Sequence, residues 1–238
     1  MKERIMPLIN RIAGFSEEMA QWRQHIHRNP ELGLECHQTA EFVVAKLKEF
    51  GIADIHTGIA TSGLIAIIEG RAEGPTIGLR ADMDALPVVE KTGLPYASTV
   101  RGEYQGRDVG VMHACGHDTH VAILMGAAEV LAAVRDELPG TVKFLFQPAE
   151  EGAPKGENGG AKMMIEEGAL LNPRVDAVVG LHISQSDVVG RASFRPLGLM
   201  ASAQRFDVEI SGSQTHGARP WAGVEPIVAG AQIVNGLQ

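Results

Sequence analysis

Hydrophobic positions near the start of the chain recur at three- and four-residue steps. Leu8, Ile12, Phe15, Met19, Trp22 and Ile26 mark one face of a helix over about Pro7–His27. Asn29-Pro30 ends it, because a proline pushes the residue before it out of helical geometry. A second amphipathic helix is expected over about Thr39–Phe50, with Gly51 as its C-cap. Short apolar runs follow, Gly63–Ile68, Thr76–Leu79, Thr141–Phe146 and Ala177–Leu181, several of them rich in β-branched residues and bounded by Gly or Pro. That is the pattern of buried strands. Between two of them, Thr119–Leu138 carries Val121, Leu124, Met125, Ala128, Leu131 and Val134 at helical spacing. Strands alternating with helices predict an α/β fold whose mainly parallel sheet is covered on both faces.

From about Gly198 the texture shifts. Gln204–Ile210 alternates polar and apolar residues, as a half-exposed strand does, and Pro226–Leu237 reads as a helix. A domain boundary is placed near Pro196–Gly198, giving residues 1–197 to one domain and 198–238 to the beginning of another. One strand and one helix are too little to bury their own face, so the second domain is expected to continue beyond this chain.

Composition narrows the partners. The 238 residues are 45% hydrophobic, enough for a large core, and the 28 glycines suit a loop-rich enzyme better than a helical bundle. A formal net charge of -8, with no basic run, argues against nucleic acid or an anionic membrane as partner. The first residues hold no apolar stretch long enough for a signal peptide or a spanning helix, so a soluble cytoplasmic protein is expected. In that compartment Cys36 and Cys115 stay reduced.

Candidate chemistry gathers where the central strands are expected to end. Thr76–Leu79 runs into Arg80-Ala81-Asp82-Met83-Asp84, and Gly110-Val111-Met112 into His113-Ala114-Cys115-Gly116-His117-Asp118. Thr141–Phe146 runs into Gln147-Pro148-Ala149-Glu150-Glu151, and the strand at Ala177 into His182. In open α/β sheets sites form beyond the carboxyl ends of the strands, so the four clusters should converge. A thiolate, imidazoles and a carboxylate together suit Zn²⁺ or a neighbouring divalent ion. Taken singly, Cys115 reads as a small buried hydrophobe, His117 as a helix cap, His182 as a core histidine and Glu150-Glu151 as a solvated loop; in one row they read as ligands. One of the two glutamates can bind metal while the other acts as general base. Asp82, Asp84 and Asp118 are candidates for orienting the ligands from behind. His25, His27, His37 and His56 read as surface or structural residues. His216, in the loop Gly212–Pro220, reads equally as an exposed loop histidine and as a functional one.

Arg80-Ala-Asp-Met-Asp-Ala-Leu-Pro87, Met112-His-Ala-Cys-Gly-His-Asp118, Gln147-Pro-Ala-Glu-Glu151 and Gly180-Leu-His182 resemble the amidohydrolase branch of peptidase family M20. Hippurate hydrolases, N-acyl-amino-acid amidohydrolases and auxin-conjugate hydrolases belong to that branch. The resemblance implies a zinc-peptidase-like α/β/α catalytic domain with an inserted α+β lid, hydrolysis of N-acyl amino acids, and two divalent ions. Zn²⁺ or Mn²⁺ is expected, with Ni²⁺ or Co²⁺ also compatible. It implies further that Cys115 bridges the ions, that His117, Glu151 and His182 add ligands, and that Glu150 is the general base. His216 matches a lid histidine that stabilises the tetrahedral oxyanion, often from a partner subunit, which points to a homodimer through the lid of the full-length protein. The family chain continues past residue 238 and supplies one further His ligand there.

Two other readings stay open at this stage. Cys115 could be a nucleophile with His117 as its base, or the chain could be an inactive fragment that retains metal binding alone.

Overall fold

The computed structural model describes residues 10–152, 158–201 and 206–237. These fall into two compact units, residues 1–185 and 186–238. That division lies upstream of the Pro196–Gly198 position expected from the sequence.

The first unit opens with two helices, α1 (Ser16–Arg28) and α2 (His37–Glu49). Residues 10–14 are also helical and Phe15 is a turn, so the expected first helix is interrupted once; its residues 7–9 lie outside the described ones. The central sheet is built from β1 (Asp54–Ile59), β2 (Gly63–Glu69), β3 (Ala72–Asp82), β6 (Pro139–Gln147) and β7 (Ala177–Gly180) in the order β1-β2-β6-β3-β7. β6 and β7 both pair in parallel with β3, while β2 is antiparallel to β1 and to β6. Four strands therefore share one direction and β2 alone opposes them.

Strand alternation divides the core between the two faces. Leu64, Ala66 and Ile68 of β2 and Phe144 and Phe146 of β6 pack with Trp22 and Ile26 of α1, Val43 and Leu47 of α2, and Val121, Leu124 and Met125 of helix α3 (His117–Ala133). Ile65 and Ile67 of β2 and Leu145 of β6 point the other way, onto Met164 of α4 (Gly160–Glu166) and Ala169. Each fully buried large side chain contributes roughly 1.5–3 kcal/mol. Lys143, on the α4 face of β6, is buried because its Nζ donates to the carbonyls of Ala169, Leu171 and Pro173 at 3.2, 2.6 and 3.1 Å.

Two sequence expectations are corrected. Gly110–Met112 is not a central strand: β5 (Arg107–Gly110) pairs only with β4 (Arg101–Tyr104) in a separate hairpin, and Met112 makes an isolated bridge to Leu86. Gln105 and Gly106 both have positive φ, 52° and 73°, as a two-residue hairpin turn requires. In the second unit, residues 206–210 form no strand; the rest of the expected Gln204–Ile210 element lies outside the described residues. Alternation makes a strand only where a neighbour takes its hydrogen bonds, and the described residues of this unit offer a single bridge, Ser213 to Val224. Helix α5 (Pro226–Leu237) forms as expected.

Candidate metal centre

Because β3, β6 and β7 run in parallel, their carboxyl ends lie at one edge of the sheet and deliver Asp82–Asp84, Glu150–Glu151 and His182 together. The fourth cluster arrives on the N-terminus of α3. Gly116 precedes that helix with φ 87°, a left-handed conformation that glycine adopts without strain.

Asp84 organises the centre. Its carboxylate is buried and accepts the backbone N–H groups of Glu150 and Glu151 at 2.9 and 3.0 Å, one on each oxygen. Between β6 and this pair, Ala149 has φ 48°, an uncommon conformation for a non-glycine residue that costs on the order of 1–3 kcal/mol. Its N–H donates to Gly33 O at 2.9 Å, so the turn is held at three consecutive amides. The Glu150-Glu151 loop is thus fixed from behind by Asp84.

Both imidazoles turn one ring nitrogen toward the centre. His117 Nδ1 lies 2.8 Å from Asp84 O, and a carbonyl only accepts, so Nδ1 carries a proton. Its Nε2 is buried with no hydrogen-bond partner among the described residues and faces Asp82 Oδ2, Glu150 Oε2 and Glu151 Oε1 at 3.7, 3.7 and 3.8 Å. His182 likewise donates from Nδ1 to Ile183 O at 2.7 Å, which turns its Nε2 toward Cys115 Sγ at 3.2 Å. Glu151 Oε1 is also buried without a partner among the described residues. An unpartnered ring nitrogen and carboxylate oxygen facing one another, beside a thiol and a second imidazole, fit a divalent cation. Cys115, His117 and His182 bring their ligand atoms within 4.8 Å of one another, and so do His117, Glu150 and Glu151.

Charges follow from this geometry. Burial alone would lower the His117 pKa, but its contacts with Asp84 and the Asp82 charge outweigh that and raise it to about 9. Burial pushes the Cys115 thiol up to about 12, and the Glu151 and Glu150 carboxylates push in the same direction. A nucleophilic cysteine needs a depressed pKa, so this environment opposes the nucleophile reading, whereas a cation would remove the proton. Burial opposes ionisation of Asp82, yet His120, Arg80 and His117 hold it down to about 2.

Asp118 turns away from the candidate ligands. Its Oδ2 accepts from Arg23 Nε at 2.7 Å and His27 Nδ1 at 2.8 Å, both on α1, while His27 Nε2 lies 3.2 Å from Glu90 Oε1. His27 is therefore a buried structural histidine, whereas His37 and His56 are exposed beside Glu35 and Asp54. His120, which the sequence reading passed over, lies beside the centre with Nδ1 2.6 Å from Asp82 Oδ1. Its signal was present in His117-Asp-Thr-His120, a spacing that puts both rings on one helix face. A cleft of about 600 Å³ reaches the centre at Asp84 and Glu151 and is lined by Leu32, Leu86, Val100 and Val111. His216 belongs to the second unit, where its exposed ring accepts the Ala218 N–H on Nδ1 at 3.1 Å.

The profile of peptidase family M20/M25/M40 matches residues 78–232, which covers every one of these elements from the middle of β3 into α5. The chain belongs to this family. An N-acetyl-L-cysteine deacetylase of Bacillus subtilis is 45% identical over 216 residues, 91% of this chain and 48% of the relative. An N-acyl-L-amino acid amidohydrolase of Geobacillus stearothermophilus is 37% identical over 237 residues, 100% of this chain and 59% of the relative. Among solved structures, a Bacillus subtilis protein described as a dinuclear metal-binding M20 peptidase aligns with TM-score 0.64 at 40% identity, over 73% of this chain and 45% of that one. This M20 chain thus spans roughly half the length of the curated relatives it matches. No described helix is long and apolar enough to cross a membrane.

Proposed function

We propose that this chain carries the metal-binding half of an amidohydrolase that cleaves N-acyl amino acids to a carboxylic acid and a free amino acid. The observation that carries the reading is the pair of buried, unpartnered atoms, His117 Nε2 and Glu151 Oε1, 3.8 Å apart. Cys115, His117, Glu151 and His182 would hold two divalent ions. Sulfur, nitrogen and oxygen donors together favour Zn²⁺, and Mn²⁺, Ni²⁺ or Co²⁺ are compatible. When bound, the ions supply Lewis acidity at the amide carbonyl.

Glu150 is the general base. Its backbone is tied to Asp84, its carboxylate borders His117, and its side chain is about a third exposed, so it meets both solvent and the centre. It takes a proton from the attacking water and returns it to the leaving nitrogen, which closes the balance of an amide hydrolysis. His216 accepts a backbone N–H on Nδ1, which leaves the proton of its neutral ring on Nε2 as a free donor for the oxyanion. We assign residues from about 198 onward to the lid, and place His216 in the site of a partner copy within a homodimer. The cleft at Glu151 joins apolar walls to charged groups, Glu35, Arg101 and Glu103 among them, and so offers room for a substrate arm of mixed character. A cysteine that serves as a metal thiolate is best kept in a reducing cytoplasm.

The test is Glu150→Gln in the full-length protein, with metal content by elemental analysis and turnover on a panel of N-acyl amino acids. Metal is expected to stay and turnover to vanish. A near-normal rate would remove Glu150 from the mechanism, and a metal-free wild-type protein would remove the reading.

A further inference from the structure

The segment that carries His182 is fastened by a residue outside the ligand set. His120 is buried on α3, with Nδ1 2.6 Å from Asp82 Oδ1 and Nε2 3.0 Å from the backbone N of Ile183. A backbone N–H only donates, so Nε2 carries the lone pair and the proton sits on Nδ1, given to the Asp82 carboxylate. Both ring nitrogens are therefore engaged. Asp82 Oδ2 is in turn held by Arg80 Nη1 at 2.6 Å, and Arg80 Nε donates to Gln147 Oε1 at 2.9 Å. Ile183 also packs on Gly116, where an added Cβ would clash with Ile183 Cδ1. A chain of side chains thus runs from the end of β6 through β3 and α3 to the residue after His182.

We propose that His120 is a positioning residue and not a metal ligand: the Arg80–Asp82–His120 chain fixes the Ile183 backbone and so sets His182 Nε2 opposite Cys115. Asp82, His117 and His120 place their atoms closely enough to pass as a ligand trio. The Ile183 hydrogen bond assigns His120 otherwise, because a nitrogen that accepts a backbone proton has no lone pair left for an ion. The inference rests on the metal-binding reading above and deepens it by separating a strut from the ligands.

Two substitutions divide the roles of the ring. His120→Gln places an amide oxygen near the Nε2 position, able to accept from Ile183. His120→Asn keeps a donor toward Asp82 but is too short to reach Ile183. The probe is Co²⁺ alone, followed by its thiolate charge-transfer and d–d absorption, together with amide hydrogen exchange at Ile183. In His120→Asn, Co²⁺ affinity is expected to fall tenfold to a hundredfold, the usual effect of losing a group that orients a ligand. Ile183 exchange should quicken in the same variant. In His120→Gln both readouts should return toward wild type, and both variants should keep the Co²⁺ stoichiometry and the thiolate band. Loss of an ion, or the same altered d–d spectrum in both variants, would make His120 a ligand and overturn the proposal. Wild-type affinity and exchange in His120→Asn would overturn it as well. If neither variant folds, Ile183 exchange in the wild-type protein decides, slow exchange supporting the strut and fast exchange refuting it. If the wild type takes up no Co²⁺, the metal reading fails while Ile183 exchange in the variants still tests the strut.

Discussion

His117 and Asp118 are neighbours in sequence yet belong to two clusters of opposite character. Around Asp118 the protein supplies its own cations: Arg23 and His27 bind one carboxylate oxygen, and Glu90 takes the other nitrogen of His27. Around His117 the balance is reversed. Asp82, Glu150 and Glu151 surround a single ring with Asp84 behind it, and Arg80 is tied to Asp82. Three carboxylates stand 3.7–3.8 Å from one ring nitrogen without hydrogen-bonding to it, more negative charge than that ring and Arg80 together offset. The first cluster is a fastener between α1 and α3; the second is a receptacle. Both are buried and rich in histidine and acid, so composition cannot tell them apart. Asp118 keeps one bare oxygen, Oδ1, but its other oxygen takes two cationic partners, whereas His117 Nε2 and Glu151 Oε1 face one another with none among the described residues.

The sharpest way to break that comparison is to empty each cluster of its organising aspartate. Asp118→Ala strands His27 and Arg23, and removing one partner from a buried ion pair typically costs about 3–5 kcal/mol. The lower end is expected, because the Arg23 side chain is 33% exposed. Metal stoichiometry should not change. Asp84→Ala should do the reverse: a smaller drop in the unfolding midpoint without metal, but a tenfold to hundredfold loss of metal affinity as the Glu150-Glu151 turn comes free. Chemical denaturation beside metal titration reads both. If Asp118→Ala lost metal and Asp84→Ala lost only stability, the two labels would be interchanged. The fastener also has a pH signature. Its hydrogen bond to Asp118 raises the His27 pKa above 6.5, so its contribution is complete below that value and is lost as pH rises through the raised one. Asp118→Ala should flatten that dependence.

The receptacle has a signature of its own, larger per pH unit but confined to metal binding. His117 titrates at about 9 and Cys115 at about 12, so near neutral pH both are protonated before an ion arrives. Binding must expel a proton from each. Affinity should therefore rise with pH, by about tenfold per unit for each proton released and about a hundredfold per unit for the two, until His117 loses its proton unaided. Calorimetry in buffers of different ionisation enthalpy counts the protons directly. A pH-independent affinity between 6 and 8 would mean that the ion does not contact these two groups.

How much of this was legible beforehand depended on whether chemistry was written into the pattern or into the partnering. Cys115, His117, Glu151 and His182 stood out because polar residues directly after apolar runs mark strand ends and helix starts, and the parallel sheet places those ends together. Asp84 was legible as a supporting group for the same reason. The direction of Asp118 was not, because successive residues on a helix diverge by about a quarter turn and sequence does not say which side faces the ligands. His120 was lost inside an apolar helix stripe, although its spacing from His117 was in plain view. The failed strands share one cause. Gly110–Met112 and Gln204–Ile210 have the composition of strands, but a strand exists only where another edge accepts its hydrogen bonds, and that is a property of the whole fold.

The mildest prediction guards the comparison against a trivial explanation. The exposed histidines among the nine could bind divalent ions on the surface, so metal uptake alone would not locate the receptacle. His37 and His56 are the natural controls: both rings are more than half exposed, each beside an exposed carboxylate, Glu35 at 3.0 Å and Asp54 at 2.8 Å. An exposed His–carboxylate pair contributes little to stability because water replaces the lost partner, so replacing either ring with alanine should shift stability by no more than about 0.5 kcal/mol. Metal stoichiometry and affinity should match the parent. The physical difference from His117 is the absence of any buried atom waiting for a partner. If His37→Ala or His56→Ala lowered the tight metal count, uptake would be following exposed imidazole–acid pairs, and the orphaned nitrogen of His117 would lose its claim to explain it.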